Sequence, residues 1–200
     1  MTGVIEFYFD FSSPYGYFAS VQVDDLAAEF GRTVAWKPIM IGAAFKESGN
    51  SPLIEQPLKG DYSRHDWQRL ARLLDVPWVL PEPFPIATLA AARAFWWLAE
   101  RDAALARRFA HAAFHAYFAE RRDISAAETV AEVAATLDID GPALLAAVQD
   151  PAIKERLKRE TDEAIERGVF GSPFVFVDGE GFWGADRLWM VKRWLERGGW

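Results

Sequence analysis

The chain has 200 residues, of which 51% are hydrophobic and 14% aromatic, and its formal net charge is -7. Because its arginines are interleaved with acidic residues, it lacks the basic patch that nucleic-acid phosphates require, and we expect no nucleic-acid partner. It contains no cysteine, which excludes disulfides, thiolate metal sites and a cysteine nucleophile. Any thiol chemistry must therefore use a thiol from another molecule.

The sequence also gives an expectation about location. The longest apolar stretches, such as residues 87–99, are interrupted by Arg93 and fall short of the roughly 20 residues that span a bilayer. The first residues lead directly into an alternating segment without the basic and apolar regions of a signal peptide. We therefore expect a cytoplasmic protein with no membrane partner.

The first predicted elements form a β-α-β unit. Residues 4–11 are rich in β-forming residues and end at Ser12-Ser13-Pro14, which predicts a buried strand followed by a helix. A helical pattern runs over residues 15–30 and closes at Gly31, and residues 33–36 predict the second strand.

Residues 42–59 have no periodicity and are rich in Gly, Ser, Asn and Pro, which predicts a binding loop. Helical patterns occupy about the next hundred residues. Predicted helix boundaries within them are the capping-box pairs Ser63 with Asp66 and Ser125 with Glu128, the start at Asp150-Pro151, and the end at Gly168.

Strand patterns return at residues 174–177 and 182–183, and a closing helix is predicted over residues 186–196. The order β-α-β, helices, β-β-α is that of an α/β, thioredoxin-like fold with a large all-helical insertion. We expect residues 1–40 and 168–200 to form the thioredoxin-like domain. Residues 41–167 would then form the binding loop and the helical insertion domain.

Four segments carry the most distinctive patterns: FYFDFSSPYGY at residues 7–17, GNSP with KGDY at residues 49–62, VFGSPF at residues 169–174, and WGADRL at residues 183–188. In this order, and over nearly the whole chain, they resemble 2-hydroxychromene-2-carboxylate isomerases and the related kappa-class glutathione transferases. The resemblance implies a DsbA-like or kappa-class thioredoxin fold and glutathione as the cofactor.

The resemblance implies that Ser13 is catalytic, because it stands where related oxidoreductases keep the first cysteine of C-x-x-C. Physical chemistry agrees, since a hydroxyl at a helix N-terminus favours a neighbouring anion such as a glutathione thiolate. The alternative is that Ser12 or Ser13 only caps the helix, and Ser12 is the expected cap.

The other segments imply the glutathione site. By resemblance, Asn50 and Lys59 contact glutathione, with Lys59 meeting a carboxylate. Ser172 pairs through its backbone with the cysteinyl main chain, and Pro173 is cis. Asp186 receives the γ-glutamyl ammonium, although it can also be an ordinary helix cap. Ala185 is part of the same glutathione site, but it stands where relatives usually have Asn or Ser, so one side-chain hydrogen bond to the glutamyl group is absent.

The implied reaction interconverts 2-hydroxychromene-2-carboxylate and trans-o-hydroxybenzylidenepyruvate, with a small aromatic molecule as substrate. The alternatives are a kappa-like transferase that conjugates glutathione to electrophiles and a non-catalytic glutathione-binding module. A disulfide oxidoreductase is excluded because the chain has no cysteine. Relatives are commonly homodimers, but the sequence shows no interface.

The aromatic residues offer walls for a substrate pocket, and Tyr15, Trp67, Trp96 and Trp97 are the candidates. Core packing explains these four residues equally well. His111 and His115 lie one helical turn apart, but no third ligand is near them in the sequence. We therefore expect no metal site.

Overall fold

Alternating apolar residues build the first strand, β1 (Val4–Phe9). Ile5, Phe7 and Phe9 belong to one core cluster and are fully buried, whereas Tyr8 belongs to a second cluster on the opposite face. Successive side chains of a strand point to opposite faces of the sheet, and in β1 both faces are covered by other apolar residues. The structure is a computed structural model and describes residues 3–200.

The sheet has the order β2-β1-β3-β4 in the described residues. Strand β2 (Thr33–Pro38) runs parallel to β1, while β3 (Phe174–Val177) is antiparallel to β1 and β4 (Glu180–Trp183) is antiparallel to β3. Strands from the two ends of the described chain thus meet in one sheet, and the predicted order β-α-β, helices, β-β-α is confirmed.

Helices occupy most of the remaining chain. They are α1 (Pro14–Ser20), α2 (Val23–Ala28), α3 (Ile41–Ser48), α4 (Lys59–Leu74), α5 (Leu89–Ala99), α6 (Ala103–Phe118), α7 (Ala127–Ala135), α8 (Gly141–Ala147), α9 (Pro151–Glu166) and α10 (Leu188–Arg197), with short 3-10 turns at Leu53–Glu55 and Ala185–Arg187. Within residues 3–200, none of these helices is both long enough and apolar enough to cross a bilayer.

Many of the aromatic residues pack between the sheet and the helices. Phe9 and Phe11 of the first segment lie 5.5 and 5.1 Å from Phe114 of α6, measured between ring centroids. On the opposite face of the sheet, Tyr8 clusters with Ala164 of α9 and other apolar residues. Each pair of packed aromatic rings stabilises the fold by about 0.5–1.5 kcal/mol beyond the contribution of its buried area.

Two predicted elements have different bounds in the structure. The helix predicted over residues 15–30 is two helices, α1 and α2, separated at Val21 and Gln22. The loop predicted over residues 42–59 contains α3 and a 3-10 turn, because Ile41, Ala44 and Phe45 place apolar groups on one helical face. Gly49, with a φ of 72°, ends α3.

The predicted helix boundaries are partly confirmed. Asp150 caps α9 through Ala152 N, and Gly168 follows its end with a φ of 89°. Both capping-box predictions are wrong. Helix α4 begins at Lys59, so Ser63 lies inside it, and α7 begins at Ala127 after Ala126, which has no side-chain cap. In α4, the tight turn at Leu58 starts the helix earlier than the polar pattern indicates.

Candidate active site

A cavity of about 890 Å³ opens where the sheet meets the helical region. Its size lies within the range of small-molecule sites. Its walls come from the end of β1 and the start of α1, from α3 and the following turn, from α4, from the segment that leads into α5, and from the residues on both sides of β3 and β4. Ser13 therefore shares one cavity with five of the six residues predicted to bind glutathione, which are Asn50, Lys59, Ser172, Ala185 and Asp186.

Ser13 lies on the cavity wall and uses both hydrogen-bonding functions of its hydroxyl. It is the N-cap of α1, because its Oγ accepts a hydrogen bond from the Gly16 N–H at 3.0 Å, and it donates to the Ser172 carbonyl oxygen at 2.8 Å. The expectation that Ser12 is the cap is therefore wrong. The Ser12 Oγ turns instead to the Ile86 N–H, 3.1 Å away.

Ser172 is held beside Ser13 from a second direction. Its Oγ accepts the Asp10 N–H at 2.9 Å. The Ser172-Pro173 peptide bond is cis, as predicted. Pro173 itself does not line the cavity; it is buried, and its carbonyl accepts the Gly184 N–H at 3.0 Å. That bond fixes the loop that carries Ala185 and Asp186 next to Ser172.

Asp10 anchors three segments around Ser13, a role that the sequence did not single out. One carboxylate oxygen accepts from Ser12 N–H at 2.7 Å and Thr88 Oγ1 at 3.0 Å, and the other accepts from Ile41 N–H at 3.0 Å. Burial raises the pKa of Asp10, while these hydrogen bonds oppose the rise. The signals that the sequence offered are a polar residue directly after a buried strand and its place in the segment FYFDFSSPYGY.

Asn50 and Lys59 flank the cavity from exposed positions. Lys59 is the first residue of α4, and its Nζ bonds Gln56 Oε1 at 3.0 Å. Leu58, just before it, has φ 65° and ψ -44°, and the Lys59 N–H bonds the Pro57 carbonyl at 2.7 Å, which is a γ-turn. An ammonium group at the positive end of a helix favours a bound anion.

Asp186 lies in the 3-10 turn before α10, not at the cap of that helix, whose N-cap is Arg187. Its side chain is 73% exposed, and its Oδ2 accepts from Arg187 Nη1 at 2.6 Å. The carboxylate is therefore accessible at the cavity. Ala185, half-buried beside it, lines the same wall and offers no side-chain hydrogen bond.

Tyr15 and Trp67 line the cavity, whereas Trp96 and Trp97 do not, which corrects the prediction that all four form its walls. The Trp96 indole N–H is buried and donates to the Pro38 carbonyl at 3.1 Å, and Trp97 packs under Arg101. Tyr15 donates to Asp66 Oδ2 at 2.8 Å, and burial, followed by the Asp66 contact, raises the pKa of its phenol.

The apolar part of the cavity comes mostly from residues that sequence reasoning missed. Trp67 packs against Phe84, with ring centroids 5.6 Å apart. An apolar pattern alone could not separate these residues from the core, because which helical face meets the cavity depends on packing. The apolar residues that the sequence analysis missed include Ile41, Phe45, Leu53, Ile54, Leu70, Phe84, Ile86, Leu89 and Ala92.

Comparison with known proteins agrees with this fold and site. The family model described as the DSBA-like thioredoxin domain matches residues 4–196. A 2-hydroxychromene-2-carboxylate isomerase from Sphingobium xenophagum is 32% identical over 197 residues, which cover 98% of this chain and 99% of that protein. The chain belongs to the DsbA-like thioredoxin family and, within it, to the family of 2-hydroxychromene-2-carboxylate isomerases.

Two further comparisons extend this result. A solved structure of a 2-hydroxychromene-2-carboxylate isomerase has a TM-score of 0.88 and 29% identity, and the match covers 98% of this chain and 95% of that one. A kappa-class glutathione S-transferase from Caenorhabditis elegans is 28% identical over 205 residues, which cover 96% of this chain and 91% of that protein. The predictions of family and fold class are confirmed, and the enzyme class is that of glutathione-related isomerases and transferases.

Proposed function

We propose that the protein is a glutathione-dependent isomerase that interconverts 2-hydroxychromene-2-carboxylate and trans-o-hydroxybenzylidenepyruvate. The observation that carries the proposal is the Ser13 hydroxyl, which lies on the wall of the large cavity in a chain without cysteine. The 2-hydroxychromene-2-carboxylate isomerase of Sphingobium xenophagum, which is 32% identical over nearly the full length of both chains, supports the choice of reaction.

The proposed glutathione site uses charges that the cavity already presents. Glutathione has two carboxylates and one ammonium group, so it needs cationic and anionic partners. Lys59 supplies a cation at the start of α4, and the exposed carboxylate of Asp186 supplies an anion. Asn50 adds an uncharged donor and acceptor, and the Ser172 backbone lies between these ends as a partner for the cysteinyl main chain.

The thiol of glutathione would then lie beside Ser13. Lowering its pKa by about 2 units requires roughly 2.7 kcal/mol of preferential thiolate stabilisation. A hydrogen bond to a charged group contributes about 1.5–3 kcal/mol, and a helix end about 0.3–1 kcal/mol. Because α1 has only seven residues, the hydroxyl is the larger contributor.

The chemistry needs no net redox change. The hemiketal C–O bond of the chromene breaks and its hydroxyl proton passes to the phenolate, which leaves a keto acid conjugated with the C=C bond. The thiolate forms a C–S bond to the carbon of that C=C bond nearer the aromatic ring, and the C=C electrons move to the keto acid as an enolate. Rotation about the resulting single bond follows. The C–S bond then breaks, the double bond forms again in the trans configuration, and glutathione leaves unchanged. The aromatic ring would occupy the apolar part of the cavity, against the wall that Trp67 and Phe84 form.

A kappa-like transferase is the second candidate, because a kappa-class relative matches 96% of this chain. The two reactions share the thiolate and differ in the fate of the adduct. An isomerase releases glutathione, whereas a transferase releases the conjugate.

The test is an absorbance assay of 2-hydroxychromene-2-carboxylate with and without glutathione, combined with product analysis and calorimetric titration. We expect turnover that requires glutathione and leaves its concentration constant. Lys59→Gln and Asp186→Asn should each weaken glutathione binding about tenfold, or about 1.4 kcal/mol. Lys46→Gln is the matched control, since Lys46 is an exposed lysine of α3 outside the cavity.

Accumulation of a glutathione conjugate would show that the protein acts as a transferase. Glutathione binding without turnover of this substrate or of other electrophiles would favour a non-catalytic binding module. Absence of glutathione binding would contradict the proposal.

A further inference from the structure

Tyr15 and Asp66 form a polar pair on the cavity wall that the addition of a thiolate does not use. Both residues line the cavity, and the Tyr15 hydroxyl donates its hydrogen to Asp66 Oδ2 at 2.8 Å. The Tyr15 ring lies 6.2 Å from the Trp67 ring, measured between centroids. The pair therefore adjoins the apolar wall of Trp67 and Phe84, where the substrate ring is proposed to lie.

The Tyr15 hydroxyl can pass a proton on but is not a base by itself. Burial, followed by the contact with Asp66, raises the pKa of its phenol, while Ser63 opposes the rise, so Tyr15 stays protonated. A phenol oxygen has two lone pairs, so one remains for a ligand even with Ser63 beside it. Tyr15 therefore accepts a proton from a ligand only while it gives its own hydrogen to Asp66.

Asp66 is held in place from the solvent side. Its Oδ1 accepts a hydrogen bond from Arg69 Nη2, and the same nitrogen donates to the Tyr62 hydroxyl at 3.0 Å. The Arg69 side chain is 49% exposed and the Asp66 side chain only 15% exposed, so the carboxylate lies between a surface cation and the Tyr15 hydroxyl. Arg69 balances the charge of Asp66 and weakens its repulsion of the substrate carboxylate.

We propose that Tyr15 and Asp66 relay the proton that moves when the chromene ring opens, which makes Tyr15 a second catalytic residue. The inference rests on the proposed function. In the chromene, the hydroxyl and the ring oxygen are bonded to the same carbon, so one phenol oxygen can reach both. The hydroxyl proton passes to Tyr15, and the Tyr15 hydrogen passes to Asp66. At the same time the bond from that carbon to the ring oxygen breaks, and the C=O bond of the keto acid forms.

The relay then runs back to the other oxygen. Asp66 returns its proton to Tyr15, and Tyr15 passes its own hydrogen to the phenolate. One proton has moved from the hydroxyl to the phenolate, one C–O single bond has become a C=O bond, and both side chains are restored without a further reactant. The thiolate addition that follows depends on Ser13 and not on this pair.

The test uses a second substrate that skips the ring opening. In cis-o-methoxybenzylidenepyruvate a methyl ether replaces the phenol, so the compound cannot close to a chromene and has no proton to relay. It still needs the thiolate to become the trans isomer. At saturating glutathione, Tyr15→Phe and Asp66→Asn should each lower kcat for 2-hydroxychromene-2-carboxylate at least about tenfold and leave kcat for the methoxy compound unchanged.

Two further variants complete the comparison. Ser13→Ala should slow the turnover of both substrates, because both need the thiolate. Tyr17→Phe is the matched control, since Tyr17 is on the same helix, does not line the cavity, and also loses one hydrogen bond, from its hydroxyl to the Pro77 carbonyl at 2.9 Å. It should leave both rates unchanged.

If Tyr15→Phe converts the chromene as fast as the unmodified protein does, the inference is wrong and the proposed function stands. If Tyr15→Phe slows both substrates equally, Tyr15 only shapes the cavity, which also overturns the inference. If the unmodified protein isomerises neither compound in the presence of glutathione, the proposed function fails, and the inference fails with it.

Discussion

At the residue scale, the active-site geometry depends on a few polar side chains that hold one another. Ser13 contacts Ser172, Ser172 contacts Asp10, and Asp10 contacts both α3 and the start of α5. Ser13 is thus part of a hydrogen-bonded chain that reaches the sheet. Its position is set by neighbours far apart in the sequence.

Asp10→Ala should lower the free energy of unfolding by roughly 3 kcal/mol or more, because it leaves two buried donors and one half-buried donor without their acceptor. Thr88→Val, which removes only one of those donors and keeps the side-chain shape, should cost about 1 kcal/mol. Urea unfolding of both variants measures the difference. Equal effects of the two substitutions would show that Asp10 does not act as a shared anchor.

The sequence predicts the polar half of the site better than the apolar half. Ser13, Lys59 and Asp186 lie in short motifs whose local backbone is set by nearby Pro and Gly residues, and the structure brings these motifs to one cavity. Trp96 and Trp97 could not be placed in the same way. Adjacent helical residues face different directions, and only the packing of α5 decides which one meets the cavity.

At the element scale, α4 contributes both charge and apolar surface to the cavity. Lys59 begins the helix, and Trp67 and Leu70 line the cavity further along it, whereas Leu73 is 75% exposed. In the described part of the chain, the cationic residues on the cavity wall are Lys59 and Arg187, and Arg187 is paired with Asp186. The apolar part of the cavity therefore offers no cationic side chain to a negatively charged substituent on a bound aromatic ring.

This arrangement predicts selectivity against an anionic substituent on the benzene ring, whereas the carboxylate of 2-hydroxychromene-2-carboxylate is on the pyran carbon. S-(4-carboxybenzyl)glutathione should bind about tenfold more weakly than S-benzylglutathione, because a carboxylate loses hydration there without gaining a partner. Leu70→Lys should narrow that ratio, and Leu73→Lys on the same helix should leave it unchanged. Calorimetry measures both ligands with each protein. A ratio near one in the unmodified protein would mean that the ring does not enter the apolar half.

At the scale of the whole molecule, the order of the elements was predictable and the helix boundaries less so. Short runs of β-forming apolar residues bounded by turn residues locate β1 and β3, because both strands are buried on the two faces of the sheet. The capping signals at Ser63 and Ser125 were misleading, because tertiary packing starts α4 and α7 elsewhere. The division of the chain into residues 1–40 with 168–200 and residues 41–167 stays a prediction.

His111 provides a pH test of the packing between α6 and the sheet. Its ring lies 4.9 Å from the Trp36 ring, and burial lowers its pKa, with Asp24 opposing and Arg107 adding to the effect. A lowered pKa in the folded state means that the unfolded chain binds the proton more strongly. Stability is therefore fully present above about pH 6.5 and falls as the pH drops below that value.

His111→Gln should flatten this dependence, which can amount to about 1.4 kcal/mol for each unit by which the pKa is lowered. His65→Gln, at an exposed position of α4, should leave the slope as it is. Urea unfolding between about pH 5 and pH 7.5 gives both slopes. If the unmodified protein and His111→Gln have the same pH dependence of stability, the burial of His111 does not cause that dependence.

The proposed function depends on activation of glutathione by the Ser13 hydroxyl. The most direct measurement follows the isomerisation of 2-hydroxychromene-2-carboxylate at saturating glutathione by the unmodified protein and by Ser13→Ala, and determines kcat and the glutathione Kd for each. We predict that kcat falls at least about tenfold, or about 1.4 kcal/mol of barrier, while Kd changes little. If Ser13→Ala binds glutathione and isomerises the substrate as fast as the unmodified protein, the Ser13 hydroxyl does not activate glutathione.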